Sequence, residues 1–118
     1  MNLETAMDGI YAMYYTGEIS SGLALAVIQS NKIIGADLAG SLINGKIQPT
    51  DQGNISIDIE LHLSEGTILV TGEAPLQQDI VLEASMVVPK NFADGTPHLL
   101  ELPTGPVNVI FKHLRSIE

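Results

Sequence analysis

The chain contains no cysteine, which rules out disulfides and thiolate metal ligands and leaves stability to packing and strand ladders. Cations are also scarce, with 5 Lys and Arg against 14 Asp and Glu, for a net charge of −9. A surface of that sign repels phosphate backbones unless its cations cluster. Lys32, Lys46, Lys90, Lys112 and Arg115 are scattered along the chain, so no nucleic-acid partner is expected. The same charge keeps a small protein soluble and also suits a basic protein partner. Long apolar runs are missing: the longest, Leu23 to Ile28, has six residues, against roughly 20 for a membrane-spanning helix. No membrane span is expected. The first residues carry Glu4 where a signal peptide has basic residues, and no apolar core of about 7 or more residues follows. A cytoplasmic location is the expectation.

What is present fits one domain over residues 1–118. At this length a single core can bury roughly two-thirds of the surface of the unfolded chain. Hydrophobic residues make up 45%, as in ordinary globular domains, and charged residues only 16%, so this is no disordered acidic segment.

The clearest element lies between Ile55 and Ser64. There Ile55, Ile57, Ile59, Leu61 and Leu63 alternate with Ser56, Asp58, Glu60, His62 and Ser64, the period of a half-buried strand with one wet face. Upstream, Ile10–Thr16 stops at Gly17 and Ser21–Ser30 stops at Asn31, which reads as a first hairpin. The alanines of the second segment are compatible with helix, but Gly22 and Asn31 leave too few residues for a stable one. Strands are then expected at 32–37 and 41–48, with Gly35, Gly40 and Gly45 allowing sharp curvature and Asn44-Gly45 a hairpin-type pair. After the alternating strand, short strands are expected at Thr67–Gly72, Asp79–Val88, His98–Leu102 and Val107–Leu114. Pro49–Asn54, Glu73–Gln78 and Lys90–Pro97 read as loops.

Eight or nine short strands with closely spaced turn signals specify an all-β sandwich or barrel. Consecutive hairpins favour an eight-stranded antiparallel up-and-down barrel, calycin- or lipocalin-like, because closure removes exposed edges. Such an interior is either filled by side chains or just able to hold one small ligand.

Residues that could carry chemistry are few. His62, His98 and His113 lack a second histidine at metal-ligand spacing, so no metal site is expected. Asp58, Glu60 and His62 share a strand face and could in principle exchange protons, but a solvated face carries the same residues. No glycine-rich phosphate loop opens a helix, so no nucleotide or other cofactor is expected, and nothing points to an enzyme. Tyr11 and Tyr15 fall on one face with Met13, and Tyr14 on the other, for core packing, a pocket wall or an interface. Between Ser21 and Ile28 both faces are apolar: Leu23, Leu25 and Val27 on one, Ala24, Ala26 and Ile28 on the other. A strand apolar on both faces suggests burial against a second subunit or a loop, and a homodimer is the expectation this motivates.

Asp8-Gly9-Ile10-Tyr11, Gly22 with its apolar strand, Asn31-Lys32-Ile33-Ile34-Gly35-Ala36-Asp37, and Gly45 before a polar loop together resemble the GrlR-like family, over roughly the first 65 residues. These are negative regulators linked to bacterial type III secretion. The resemblance implies a calycin-like barrel, a homodimer, and sequestration of a transcriptional activator by protein contact without DNA binding. Where the family pattern has a run of acidic residues in the loop that holds the activator, Pro49–Asn54 has one carboxylate, Asp51, the residue carried over as protein-binding. Two functions follow as expectations: a regulatory protein-binding barrel and, alternatively, a carrier of a small apolar ligand.

Overall fold

The computed structural model describes residues 7–50, 52–72 and 74–118. Eight strands follow one another: β1 Gly9–Thr16, β2 Ser21–Gln29, β3 Lys32–Asp37, β4 Leu42–Pro49, β5 Asn54–Leu63, β6 Ile80–Pro89, β7 Asp94–Leu102 and β8 Gly105–Arg115. Among the described residues there is no helix. The strands form one antiparallel sheet in the order β6-β5-β4-β3-β2-β1-β8-β7, which curls into a nearly closed up-and-down barrel.

Side-chain alternation sets which residues face inward. On β5, Ile55, Ile57, Ile59 and Leu63 are buried, while Asp58 and Glu60 are exposed. On β6, Leu82, Ala84, Met86 and Val88 point in and Val81, Glu83, Ser85 and Val87 point out. The inward rows of all eight strands make one continuous core. Burying it supplies the hydrophobic driving force at about 25 cal/mol per Å² of apolar surface.

The turn between β2 and β3 has two residues, Ser30 and Asn31, with φ of 51° and 69°. Positive φ at both positions is the type I′ geometry that matches strand twist, and it places Gln29 opposite Lys32. The expected turn pair Asn44-Gly45 instead lies inside β4, where Gly45 sits between Ile33 and Ile59. A Cβ on Gly45 would collide with the Asp58 carbonyl oxygen, so glycine is needed here for close strand approach and not for a turn.

Three other expectations are corrected. Thr67–Gly72 is not a strand. Its backbone bonds go to turns and to the β1–β2 hairpin tip, where Ile19 N–H and Ser20 N–H both donate to Val70 O, at 2.9 and 3.1 Å. With those groups satisfied, the segment has no need of a ladder. Second, β7 begins at Asp94 and runs through Pro97. A proline is tolerated because β7 has a ladder on its β8 side alone. Third, closure does not remove every edge: β6 and β7 lie beside each other without a ladder among the described residues. Pro89 ends β6 and Pro97 sits in β7, and proline brings no N–H to such a seam.

Candidate functional site

The two ends of the barrel are built differently. One end holds the β2–β3 turn, the start of β1 and the loop between β6 and β7, and its interior is filled with aromatic rings. Phe92, from that loop, is buried and stacks on Tyr11 with ring centroids 5.9 Å apart, and Phe111 meets Phe92 edge-on at 5.3 Å. His113 closes on Tyr11 at 5.1 Å. The position of Phe92 is held from β7, where the His98 ring nitrogen lies 3.0 Å from the Phe92 carbonyl oxygen. Tyr11 donates its phenolic proton to Met7 O at 2.8 Å. The void left at this end is about 10 Å³, room for one water at most.

The other end is open inside. A cavity of about 310 Å³ lies between Met13, Ile43, Ile59, Leu61, Leu82, Leu100, Val107 and Val109. Its mouth is crossed by Thr67, Ile68, Leu69, Val70 and Thr71. This crossing segment is tied to the β1–β2 hairpin through Val70 O and to the β7–β8 turn by a Thr71–Thr104 hydroxyl bond of 3.0 Å. Tyr15 is the one aromatic residue on the lining among the described residues, so no ring fills the space as Phe92 does opposite.

A polar group stands on the apolar wall. Tyr15 Oη donates to Asp37 Oδ2 at 2.7 Å, and Asp37 Oδ1 accepts from Ala39 N–H and Ser41 N–H, both at 2.9 Å. Gly22 makes the arrangement possible, since a Cβ there would strike the Tyr15 ring. Burial pushes the Tyr15 phenol well above its ordinary range, and the hydrogen bond and charge of Asp37 push it further. Tyr15 therefore stays a protonated donor fixed on Asp37. Ser41 is 3% exposed, lines the cavity, and its Oγ has no hydrogen-bond partner.

No family model, no curated protein and no solved structure matches the chain. The site must therefore be read from its own chemistry.

The residues singled out in sequence fall into different places. Tyr15 lines the cavity, Tyr11 belongs to the aromatic plug, and Tyr14 lies on the outer face, 47% exposed. Asp58, Glu60 and His62 form a row on the outer face of β5, away from the cavity. Ser85 donates to Asp58, and a ring nitrogen of His62 lies 3.0 Å from Glu60 Oε1. Of the six β2 residues expected at a dimer face, Ala24, Ala26 and Ile28 are core, so Leu23, Leu25 and Val27 alone face outward. They adjoin Tyr14 and Ile10 of β1 and Ile34 of β3 around a buried Ala12, and the apolar strip that remains exposed centres on Tyr14, Leu25 and Ile34. Asp51 lies outside the described residues.

Asp37 and Ser41 were not recognised as site residues in the sequence. One signal was available for Asp37: it shares the inward parity of Ile33 and Gly35 on β3, and a carboxylate on an inner face needs partners.

Proposed function

We propose that the barrel binds one small, mainly apolar molecule in the cavity between the β3–β4 turn and the segment 67–71. The observation that carries this reading is the contrast between the two ends, a void of about 10 Å³ at one and about 310 Å³ at the other. The lining of the larger space is mainly apolar, so an apolar molecule that enters it is favoured by about 25 cal/mol per Å² of apolar surface taken out of water. The volume also falls in the usual range of ligand sites, about 300–1,000 Å³.

Titration of diphenylhexatriene, a probe that fluoresces in apolar surroundings, tests the proposal. Saturable enhancement at one probe per chain is expected. No enhancement, together with an empty lipophilic extract of the purified protein by mass spectrometry, overturns it.

A second reading is regulation by protein contact in the cytoplasm, as a homodimer and through an activator, which the GrlR-like resemblance implies. The outer strip favours it: Leu25 is 53% and Ile34 64% exposed, side by side with Val27 on neighbouring strands. Apolar residues grouped on an otherwise acidic protein mark a contact surface. The oligomeric state in sedimentation tests it.

A further inference from the structure

We infer that residues 69–72 form a latch over the cavity, which lifts to let the ligand in and out and so sets the rate of binding rather than its strength. This rests on the proposed ligand-binding function and concerns the regulation of that same site.

The starting point is a connection far longer than the sheet requires. Strands β5 and β6 already meet at their ends, where Leu63 pairs with Ile80. Two to four residues join every other pair of consecutive strands, yet residues 64–79 join these two. A two-residue turn would close the hairpin. Long loops whose ends lie together are frequently functional. Here the extra length gives reach. The loop leaves the β5–β6 base and touches the β1–β2 hairpin and the β7–β8 turn, which belong to the other half of the sheet.

Base and tip are held differently. At the base the two arms are tied to each other: Gly66 N–H donates to Leu76 O at 2.8 Å, Leu76 N–H to Thr67 O at 2.9 Å, and Glu65 N–H to Asp79 Oδ1 at 2.8 Å. At the tip, Gly72 N–H donates to Leu69 O, so 69–72 is a turn of its own. Among the described residues, three hydrogen bonds join this turn to the rest of the barrel. Ile19 and Ser20 N–H donate to Val70 O, and the Thr71 hydroxyl donates to that of Thr104. Two of the three share one acceptor, and the third is exposed to water, which can satisfy both hydroxyls in its place. A segment with few ties and no ladder opens locally more readily than the strands beneath it. Leu69 and Val70 lie on the cavity lining, so lifting the turn uncovers the space.

Other routes are poorer. The opposite end is filled around Phe92, and the wall is laddered all the way from β6 round to β7. That leaves the β6–β7 seam as the competing entrance, and Leu82 and Leu100 are buried beside it.

Stopped-flow fluorescence of diphenylhexatriene with the Thr71→Cys, Thr104→Cys double variant tests the latch. The two hydroxyl oxygens are 3.0 Å apart and the chain has no cysteine of its own, so oxidation joins these positions and no others. With the cross-link verified by mass, association and dissociation should both slow by about tenfold or more, at an affinity within about threefold. Dithiothreitol should restore both rates. Thr104→Val breaks the hydroxyl bond without a cross-link and should speed both rates about twofold to fivefold. That variant decides the matter if the disulfide does not form or the double variant does not fold. Unchanged rates in the cross-linked protein, or in Thr104→Val where it decides, overturn the latch and place entry at the seam, while the ligand-binding function stands. Slower association with dissociation unchanged also overturns it, because a latch slows entry and exit together. Failure of the wild type to bind diphenylhexatriene would instead overturn the function.

Discussion

Tyr15 on β1 and Asp37 at the end of β3 are joined by a hydrogen bond of 2.7 Å that spans 22 residues of sequence. Strand β2 lies between them in the sheet, and the bond reaches across its inner face because Gly22 leaves room there. It ties the ends of β1 and β3 together across β2, beside the cavity.

Replacing Tyr15 with Phe is expected to cost about 1–2 kcal/mol in urea unfolding at pH 7, because Asp37 Oδ2 loses its one side-chain donor. The alkaline limb reports the same contact. Tyr15 has its folded-state pKa raised above the ordinary value near 10, so its contribution is complete below about pH 10 and is lost as pH climbs from there through the raised value. Wild-type stability should fall above pH 10 with a ceiling of about 1.4 kcal/mol per pH unit for this group, lowered by the partial exposure of the ring. The Phe variant should fall less steeply, and parallel limbs would count against the assignment.

Phe92 belongs to a loop, yet it closes the packed end. Phe92→Ala removes a buried ring from contact with both Tyr11 and Phe111, and a loss of about 3–5 kcal/mol is expected. Thermal or urea denaturation measures it. A change below about 1 kcal/mol would show that the loop does not plug the barrel.

Val107 is buried on the wall of the open end. The cavity beside it can take up a larger side chain, so Val107→Phe is expected to keep the fold and lose less than about 1 kcal/mol. Over-packing a filled core would cost about 1–3 kcal/mol. Diphenylhexatriene affinity should drop at least tenfold in the same variant. Full retention of probe binding would place the ligand elsewhere.

The outer strip gives a prediction about assembly. Sedimentation at micromolar concentration is expected to show a dimer for the wild type and a folded monomer for the Leu25→Asp, Ile34→Asp double variant. Both side chains are already exposed, so the change should cost the monomer fold little. A monomeric wild type removes the dimer.

Much of the architecture was legible because a strand has a period of two. The error-free alternation from Ile55 to Ser64 states which side is core before any partner strand is known, and the structure buries Ile55, Ile57 and Ile59 accordingly. The same rule could not place Thr67–Gly72, since a short apolar run serves equally as a strand or as a loop lying on a hydrophobic opening. Asn44-Gly45 shows the limit for turns: the dipeptide permits a hairpin, but the space beside Asp58 uses its glycine for a different purpose. Leu23, Leu25 and Val27 were legible as one face, but which of the two apolar faces of β2 pointed outward depended on the curvature of the sheet.

The amino-acid sequence alone determined that this protein is all-β, because alternation and turn residues act over a few positions and need no distant partner. Tertiary structure alone decided that one end of the barrel is plugged by Phe92 and the other left open around Tyr15, Asp37 and Ser41. An enclosed volume depends on how eight strands and their loops meet at each end. No short stretch of sequence carries that sum.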